Sequence, residues 1–243
     1  MPKKDNSLEI LGIKPVANSL NIATKGTVEG VSAFLSRICL PAAEEFGLLL
    51  RDNVSTWRAN NAVKIAAKAQ SMVEKRKNNN EINAHPKIIY SAIENGSWAE
   101  DEFIQNLWAG LLASSCTDKG NDEGNLIFIS ILAQLTANQA KLISYACENA
   151  KTFESEAGWI FAETLNANAD DLVKIMGIDD LQQIDRELDH LRSLELINGG
   201  FLQGSKTAII TPHALCLQLY VRSQGFIGSP IEYFGCSKKE DFR

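Results

Sequence analysis

The chain has 243 residues, of which 45% are hydrophobic and 22% are charged, and its formal net charge is -6. This composition excludes an intrinsically disordered chain, and the length suits one helical body joined to a smaller module. The five cysteines contain no C-x-x-C pair and the N-terminus has no signal-peptide pattern, so we expect a cytoplasmic protein without a disulfide framework.

Charge is distributed unevenly along the chain. Residues 1–80 carry twelve Lys and Arg against seven Asp and Glu, a net of +5, whereas residues 81–243 carry twelve against twenty-three, a net of -11. Because cations neutralise phosphate groups, contact with nucleic acid or an anionic membrane is expected to involve the first third of the chain. The acidic remainder is expected to repel polyanions.

Helical periodicity dominates the chain before residue 134. We predict a flexible N-terminal segment over 1–16 and a helical domain over 17–133. Its helices are predicted over residues 17–37, 41–77, 86–96 and 97–116. Ser97 and Glu100 have the spacing of a capping box for the last of these helices, and the sequence places Trp98 and Trp108 in the core.

Shorter elements and glycine-containing turns follow from residue 134. Thr136 and Gln139 again have capping-box spacing, and a helix that begins at Asn168 stops at Gly177. A second helix is predicted directly afterwards, over 180–197, where leucine and isoleucine recur at helical spacing. These two helices have the outline of a helix-turn-helix.

Two short apolar runs around a Gly-Ser turn come next and predict a hairpin or wing. Thr211-Pro212 is then predicted to open a final helix. We therefore predict a winged-helix-like module over 134–225, followed by a C-terminal tail over 226–243. The predicted fold class is mainly α: a helical N-terminal body followed by a winged-helix-like α+β module with a short β-hairpin.

The charge of the predicted helix over 180–197 argues against the DNA binding that a winged helix brings to mind. Five carboxylates and two arginines give this helix a net charge of -3, whereas DNA affinity depends on neutralising phosphates. Domain packing, dimerisation or protein recognition fits this helix better. Lys206 in the predicted wing and Arg222 leave a nucleic-acid alternative open.

Three sequence blocks occur in a fixed order: a W-R-x-x-N pattern at 57–61, acids leading into "NLWAGLLASS" at 100–115, and a Leu-Thr pair at 135–136. Together with a leucine-rich helix and a Thr-Pro segment further on, they make roughly residues 28–225 resemble the abortive-infection alpha family. The resemblance implies a bacterial phage-defence protein that acts through suicide or growth arrest of the host. It implies no catalytic residue.

Residues that could support catalysis are scarce. The three histidines, His85, His190 and His213, form neither an H-E-x-x-H nor an H-x-E pattern, and no phosphate-binding glycine loop or G-x-S-x-G motif occurs. Adjacent carboxylates lie at predicted helix starts, where the helix dipole accounts for them. We therefore expect a non-enzymatic protein without cofactor or metal.

A cationic stripe with an aromatic residue is the best candidate interaction surface. It lies on the predicted basic helix over 51–77 and comprises Arg51, Trp57, Arg58, Asn61, Lys64, Lys68 and Lys75. Such a stripe suits phosphate, nucleic acid or an acidic protein. The acidic C-terminal part of the same chain is an equally natural partner.

Three functional hypotheses follow from these patterns. The first is a non-enzymatic defence effector that binds a protein partner or forms a homo-oligomer. The second is a membrane-perturbing effector that uses residues 17–50 in transient contact with a bilayer, because no apolar run is long enough for a transmembrane helix. The third is a nucleic-acid-binding regulator that uses the basic helix or the winged module.

Overall fold

A computed structural model of the protein describes residues 22–51, 56–76 and 82–236. The predicted flexible segment over 1–16 and the last residues of the predicted tail, 237–243, lie outside these residues. The described chain is mainly helical with small antiparallel sheets, as the sequence predicts.

The described residues group into two compact units. Unit 1 contains the chain up to Ala133 together with Ser223–Ile227, and unit 2 contains Gln134–Arg222 and the chain from Gly228. Ser223–Ile227 therefore packs in unit 1, although the sequence placed these residues at the junction of the module and the tail. We call Ser223–Ile227 the returning segment.

Unit 1 is built from helices. Those within the described residues are α1 (Ile22–Ile38), α2 (Leu40–Arg51), α3 (Thr56–Glu74), α4 (Pro86–Gly96), α5 (Glu102–Ser114) and α6 (Leu126–Leu132). The helical stretch predicted over 41–77 thus contains two helices, with residues 52–55 outside the described chain. Pro86 occupies the first turn of α4, where its missing N–H costs no intrahelical bond.

The core of unit 1 is centred on α3, which packs against α1, α4 and α5. Ala62, Ala66 and Ala69 of α3 are completely buried, and their small side chains allow neighbouring helices to approach closely. Leu111 and Leu112 of α5 are buried as well. These alanines therefore form the face of α3 that packs in the core.

Unit 2 combines short helices with two-residue and three-residue strands. In chain order these elements are α7 (Ala137–Asn149), β1 (Thr152–Glu154), β2 (Ile160–Ala162), β3 (Asn166–Asn168), α8 (Ala169–Met176), α9 (Leu181–Ser193), β4 (Ile197–Asn198), β5 (Thr207–Ile209), β6 (Thr211–Pro212), α10 (Ala214–Ser223) and α11 (Pro230–Phe234). Ile184, Leu188 and Leu191 of α9 are completely buried, which matches their predicted helical stripe.

Three antiparallel strand pairs occur in the described part of unit 2: β1 with β2, β3 with β5, and β4 with β6. A bridge between Phe201 and Ala208 joins the two sides of the predicted wing. Thr211–Pro212 forms strand β6 rather than the start of the predicted final helix, and the helix found there, α10, begins at Ala214. The prediction failed there because Thr211 pairs with Asn198 across the sheet, and sheet pairing overrides the local preference of proline for a helix start.

The capping box predicted at the start of α7 is confirmed. The Thr136 hydroxyl accepts the backbone N–H of Gln139 at 3.2 Å, and the Gln139 carboxamide oxygen accepts the backbone N–H of Thr136 at 3.1 Å. Thr136→Ala is expected to lower the free energy of unfolding by about 1 kcal/mol because the N-terminal N–H loses its acceptor. Urea denaturation measures this loss, and Thr136→Ser should recover most of it; an alanine variant as stable as wild type contradicts the assignment.

Candidate protein-binding surface

The residues of the predicted surface lie mainly along α3. Trp57, Arg58, Asn61, Lys64 and Lys68 belong to this helix, Lys75 follows it, and the backbone of Arg51 ends α2. Their surroundings differ. Trp57 and Arg58 take part in an aromatic cluster with Trp98, whereas the lysines have other neighbours.

Arg58 is engaged within unit 1. Its Nη2 donates to Glu94 Oε1 at 2.9 Å and to Ser97 Oγ at 2.8 Å, and its Nε donates to Ser97 Oγ at 3.1 Å. Only 12% of the Arg58 side chain is exposed. A charge-assisted pair of this kind fixes the guanidinium in one orientation. The Arg58 charge is therefore neutralised within the chain by Glu94, a carboxylate of unit 1 that belongs to the acidic stretch over 81–243.

Trp98 covers the guanidinium of Arg58 and is itself open to solvent. The Arg58 Cζ lies 3.8 Å from the Trp98 ring centroid, well inside the range of a cation–π contact. The Trp57 and Trp98 rings meet edge to face, with centroids 5.8 Å apart at 65°. Yet 59% of Trp98 and 40% of Trp57 remain exposed. We call Trp57, Arg58, Glu94, Ser97 and Trp98 the tryptophan–arginine cluster.

The core position predicted for Trp98 is wrong, whereas Trp108 is 2% exposed as predicted. The error lies in the helix start. Asp101, not Ser97, caps α5, because its carboxylate accepts the backbone N–H groups of Phe103 and Ile104. Ser97 therefore precedes the helix and its hydroxyl is free to bind Arg58, which leaves Trp98 in the exposed connection between α4 and α5.

Asn61 lies behind the cluster and supports it. Its side chain is almost completely buried, donates to the Ser97 backbone carbonyl at 3.2 Å and accepts from Gln105 Nε2 at 3.1 Å. Gln105 Nε2 also donates to the Ala99 carbonyl at 2.9 Å. Buried amides satisfied in this way hold the connection between α4 and α5 in one conformation. Asn61 is thus a supporting residue rather than a contact residue.

The lysines of the predicted stripe differ in their surroundings. Lys68 Nζ lies 3.2 Å from Glu102 Oε1, again a carboxylate of unit 1. Lys64 and Lys75 are exposed, and neither lies within ion-pair distance of a carboxylate in the described residues. The side chain of Arg51 lies outside the part of the chain that can be described. Free cationic charge on this helix is therefore lower than the sequence indicated.

The thiols and imidazoles have local roles in packing. Burial raises the pKa of the Cys116 thiol to about 12, and burial also raises the pKa of Cys147, whose Sγ lies 3.6 Å from Cys216 Sγ. His190 Nδ1 lies 2.9 Å from Gln139 Nε2, and His213 Nδ1 lies 3.1 Å from the Glu195 carbonyl. Among residues 22–51, 56–76 and 82–236, no three His, Cys, Asp or Glu side chains form a group that could hold a metal ion.

Glu94, Ser97 and Trp98 are the cluster residues that sequence reasoning missed. The sequence did contain a signal for them, because Asp101 is as good an N-cap residue as Ser97 and a helix that starts at Asp101 leaves Ser97 and Trp98 outside it.

Helix length bears on the membrane hypothesis. Within the described chain, each helix is too short or too polar to cross a bilayer.

The family model of abortive infection alpha matches residues 60–207. This range includes Glu94, Ser97 and Trp98, while Trp57 and Arg58 lie immediately before it. A search of curated proteins and a search of solved structures found no match. The matched residues make up more than half of the 243-residue chain. The chain therefore belongs to the abortive infection alpha family.

Proposed function

We propose that this protein is a non-enzymatic abortive-infection effector that acts by binding a protein partner through the tryptophan–arginine cluster. Membership of the abortive infection alpha family supports the role in phage defence. The observation that carries the binding mechanism is Trp98, which is 59% exposed yet held in place by Arg58 at 3.8 Å. An exposed aromatic ring that is already ordered loses little conformational entropy when a partner covers it.

The composition of the cluster suits a protein partner. Tryptophan and arginine dominate the binding energy of protein interfaces, and contiguous exposed apolar surface on a folded protein commonly marks a recognition site. Because Arg58 is neutralised by Glu94, the surface presents two indole rings instead of a free cation. Such a surface favours an apolar protein contact over a phosphate contact. We place the protein in the cytoplasm, where its partner is another protein or a further copy of this chain in a homo-oligomer.

We also propose that unit 2 is a winged-helix-like module used for protein contacts. Apart from the β1–β2 hairpin, its elements follow one another as helix, strand, helix, helix, strand and strand, in the order α7, β3, α8, α9, β4 and β5. The chain between β4 and β5 then takes the place of the wing. Both arginines of α9 are already paired, because Arg192 Nη2 lies 2.7 Å from Asp189 Oδ1 and Arg186 Nη2 lies 3.6 Å from Glu187 Oε1.

Trp98→Ala is expected to abolish protection against phage while the protein stays folded, because the ring is exposed and its removal leaves no cavity. Truncation of a dominant interface residue weakens binding by 2 kcal/mol or more, roughly 30-fold. The measurement is survival of a phage-challenged culture, with the thermal midpoint of the purified variant as the folding check. Ile127→Ala, at another exposed apolar position of unit 1 (60% exposed), is the matched control and should protect like wild type.

The two alternative functions predict different results with the purified protein. Salt-dependent retention of DNA or RNA that is lost in a Lys64→Glu, Lys75→Glu variant supports a nucleic-acid-binding regulator that uses the basic helix over 51–77. Dye leakage from liposomes supports a membrane-perturbing effector that uses residues 17–50. A Trp98→Ala protein that is folded and fully protective contradicts binding through the tryptophan–arginine cluster.

A further inference from the structure

Two cysteine thiols meet inside unit 2. Cys147 lies in α7 and Cys216 lies in α10, and their Sγ atoms are 3.6 Å apart. Both side chains are buried, and the Cys147 Sγ also lies 3.8 Å from the backbone carbonyl oxygen of Cys216. The two residues are 69 positions apart in the sequence, so the packing of two helices produces this contact and a local turn does not. We call Cys147 and Cys216 the thiol pair.

A hydrogen bond between the same two helices keeps the thiol pair in register. The Tyr220 hydroxyl of α10 donates to Glu148 Oε1 of α7 at 3.0 Å. Glu148 directly follows Cys147, and Tyr220 lies one helical turn after Cys216, on the same side of α10. Burial and the bond to this carboxylate raise the pKa of Tyr220, so its hydroxyl stays protonated and continues to donate. The two sulfur atoms are therefore held next to each other by ordered helices.

The other cysteines have different surroundings. The Cys116 thiol in unit 1 donates to the Leu112 carbonyl at 3.4 Å, and the Cys236 thiol donates to the Thr152 hydroxyl at 3.3 Å. These two thiols face oxygen atoms, with which they cannot form a disulfide. Cys39 lies in unit 1 and is only half-buried. Its position therefore distinguishes the thiol pair from a single buried cysteine, which acts as a small apolar residue.

The distance between the two sulfur atoms suits the formation of a disulfide. A disulfide bond is about 2.05 Å long, so sulfur atoms that start 3.6 Å apart have to approach by roughly 1.5 Å. This approach is much shorter than the pitch of a helical turn, about 5.4 Å. Rotation of the side chains about χ1 moves the sulfur atoms while the helices stay intact. The bond can therefore form without a change of fold.

We infer that the thiol pair is a redox-sensitive staple, which a peroxide converts into a disulfide that joins α7 to α10. One thiol first attacks an oxygen of hydrogen peroxide, the O–O bond breaks, and a sulfenic acid and water form. The second thiol then attacks the sulfenic sulfur, the S–O bond breaks, and a second water leaves. Two thiols and one hydrogen peroxide thus give one disulfide and two waters. This staple lies in unit 2 and is independent of the function proposed for the tryptophan–arginine cluster.

Burial determines which oxidant and which reductant can reach the thiol pair. It raises the pKa of the Cys147 thiol, so little of the reactive thiolate is present and oxidation is slow. Hydrogen peroxide is small and uncharged, and it enters through local opening of unit 2. Glutathione is a charged tripeptide that is too large for this route, so the disulfide is expected to persist once it has formed. The thiol pair therefore stays reduced in a reducing compartment and responds to sustained exposure to peroxide.

Mass spectrometry of the purified full-length protein tests this inference. Folded protein is treated with hydrogen peroxide, the remaining thiols are blocked in urea, and peptides are mapped without reduction. We expect a disulfide between Cys147 and Cys216, which is absent in Cys216→Ala and present in the matched control, Cys236→Ala. The map of the wild-type protein decides the pairing even where a variant fails to fold. Treated protein in which the thiol pair stays free, or in which disulfides join only other cysteines, overturns the inference.

Thermal unfolding then tests whether the bond acts as a staple. The disulfide closes a long loop and restricts the unfolded chain, so we expect the thermal midpoint of the oxidised protein to rise by roughly 10 °C. Cys216→Ala treated with the same peroxide should show no such rise. Glutathione should leave the raised midpoint unchanged, whereas dithiothreitol in urea should restore the reduced protein. A midpoint that does not rise overturns the staple, and rapid reduction of the folded protein by glutathione overturns its protection by burial.

Discussion

Gly110→Ala is expected to displace the returning segment, Ser223–Ile227, from unit 1. Gly110 lies in the middle of α5, where an added Cβ would overlap the carbonyl group of Ser223 and lie 3.0 Å from its Cα. These are backbone atoms, which cannot rotate away as the end of a side chain can. We expect the free energy of unfolding to fall by about 3 kcal/mol, at the upper end of the range for overpacked sites.

Urea denaturation measures the stability loss in Gly110→Ala, and amide hydrogen exchange over residues 223–227 reports whether the segment has left its site. Gly30→Ala is the matched control, because Gly30 lies in α1 with no atom within 4 Å of an added Cβ. This control is expected to stabilise the protein by up to about 1 kcal/mol, the difference in helix propensity between glycine and alanine. Wild-type stability together with wild-type protection of 223–227 in Gly110→Ala contradicts the close approach.

Arg76→Met is expected to cost about 3 kcal/mol of stability because Arg76 holds three backbone carbonyls at once. Its Nη2 donates to the carbonyl of Ala113 at 2.6 Å and to that of Gly225 at 2.8 Å, and its Nη1 donates to the carbonyl of Cys116 at 2.9 Å. Burial lowers the pKa of Arg76 because the guanidinium loses hydration, and the three carbonyls replace part of it. Methionine keeps the aliphatic contacts of the side chain but donates to none of these groups.

Two comparisons distinguish this role from a general effect of charge. Lys75→Met removes a neighbouring cation that is exposed, and its stability is expected to stay within about 0.5 kcal/mol of wild type. Arg76→Lys keeps the charge without the planar fork and should recover only part of the loss. Because Gly110 and Arg76 both position the returning segment, the loss in the double variant should be smaller than the sum of the two single losses. Equal losses in Arg76→Met and Lys75→Met contradict the carbonyl contacts.

The helices of both units illustrate what local sequence pattern predicts well. Pro86 marks the start of α4, and alanines that recur at helical spacing mark the buried face of α3. Thr136 and Gln139 locate the start of α7, and Gly177 ends α8 in the left-handed conformation that glycine adopts readily. Each of these signals acts within one helical turn of the residue it concerns. They are readable because no distant contact is needed to produce them.

The candidate surface was predicted only in part because its contacts join residues that are far apart in the sequence. The sequence identified Trp57 and Arg58 but not their partners, because Glu94 and Ser97 lie 36 and 39 residues away from Arg58. Two capping signals, at Ser97 and Asp101, competed within five residues. In the structure Asp101 caps α5, and the Ser97 hydroxyl accepts hydrogen bonds from Arg58 instead. That choice turned Trp98 from an expected core residue into the most exposed member of the cluster.

Neighbouring residues and composition are enough to identify the mainly helical fold class, the helix starts at Pro86 and Thr136, the family resemblance and the uneven charge. The tertiary structure is needed to establish which cations are neutralised, which tryptophans are exposed, and that Ser223–Ile227 packs in unit 1. The reason is physical: Arg76 and Gly225 are 149 residues apart, and a contact at such a separation depends on how whole helices pack, which no local periodicity encodes.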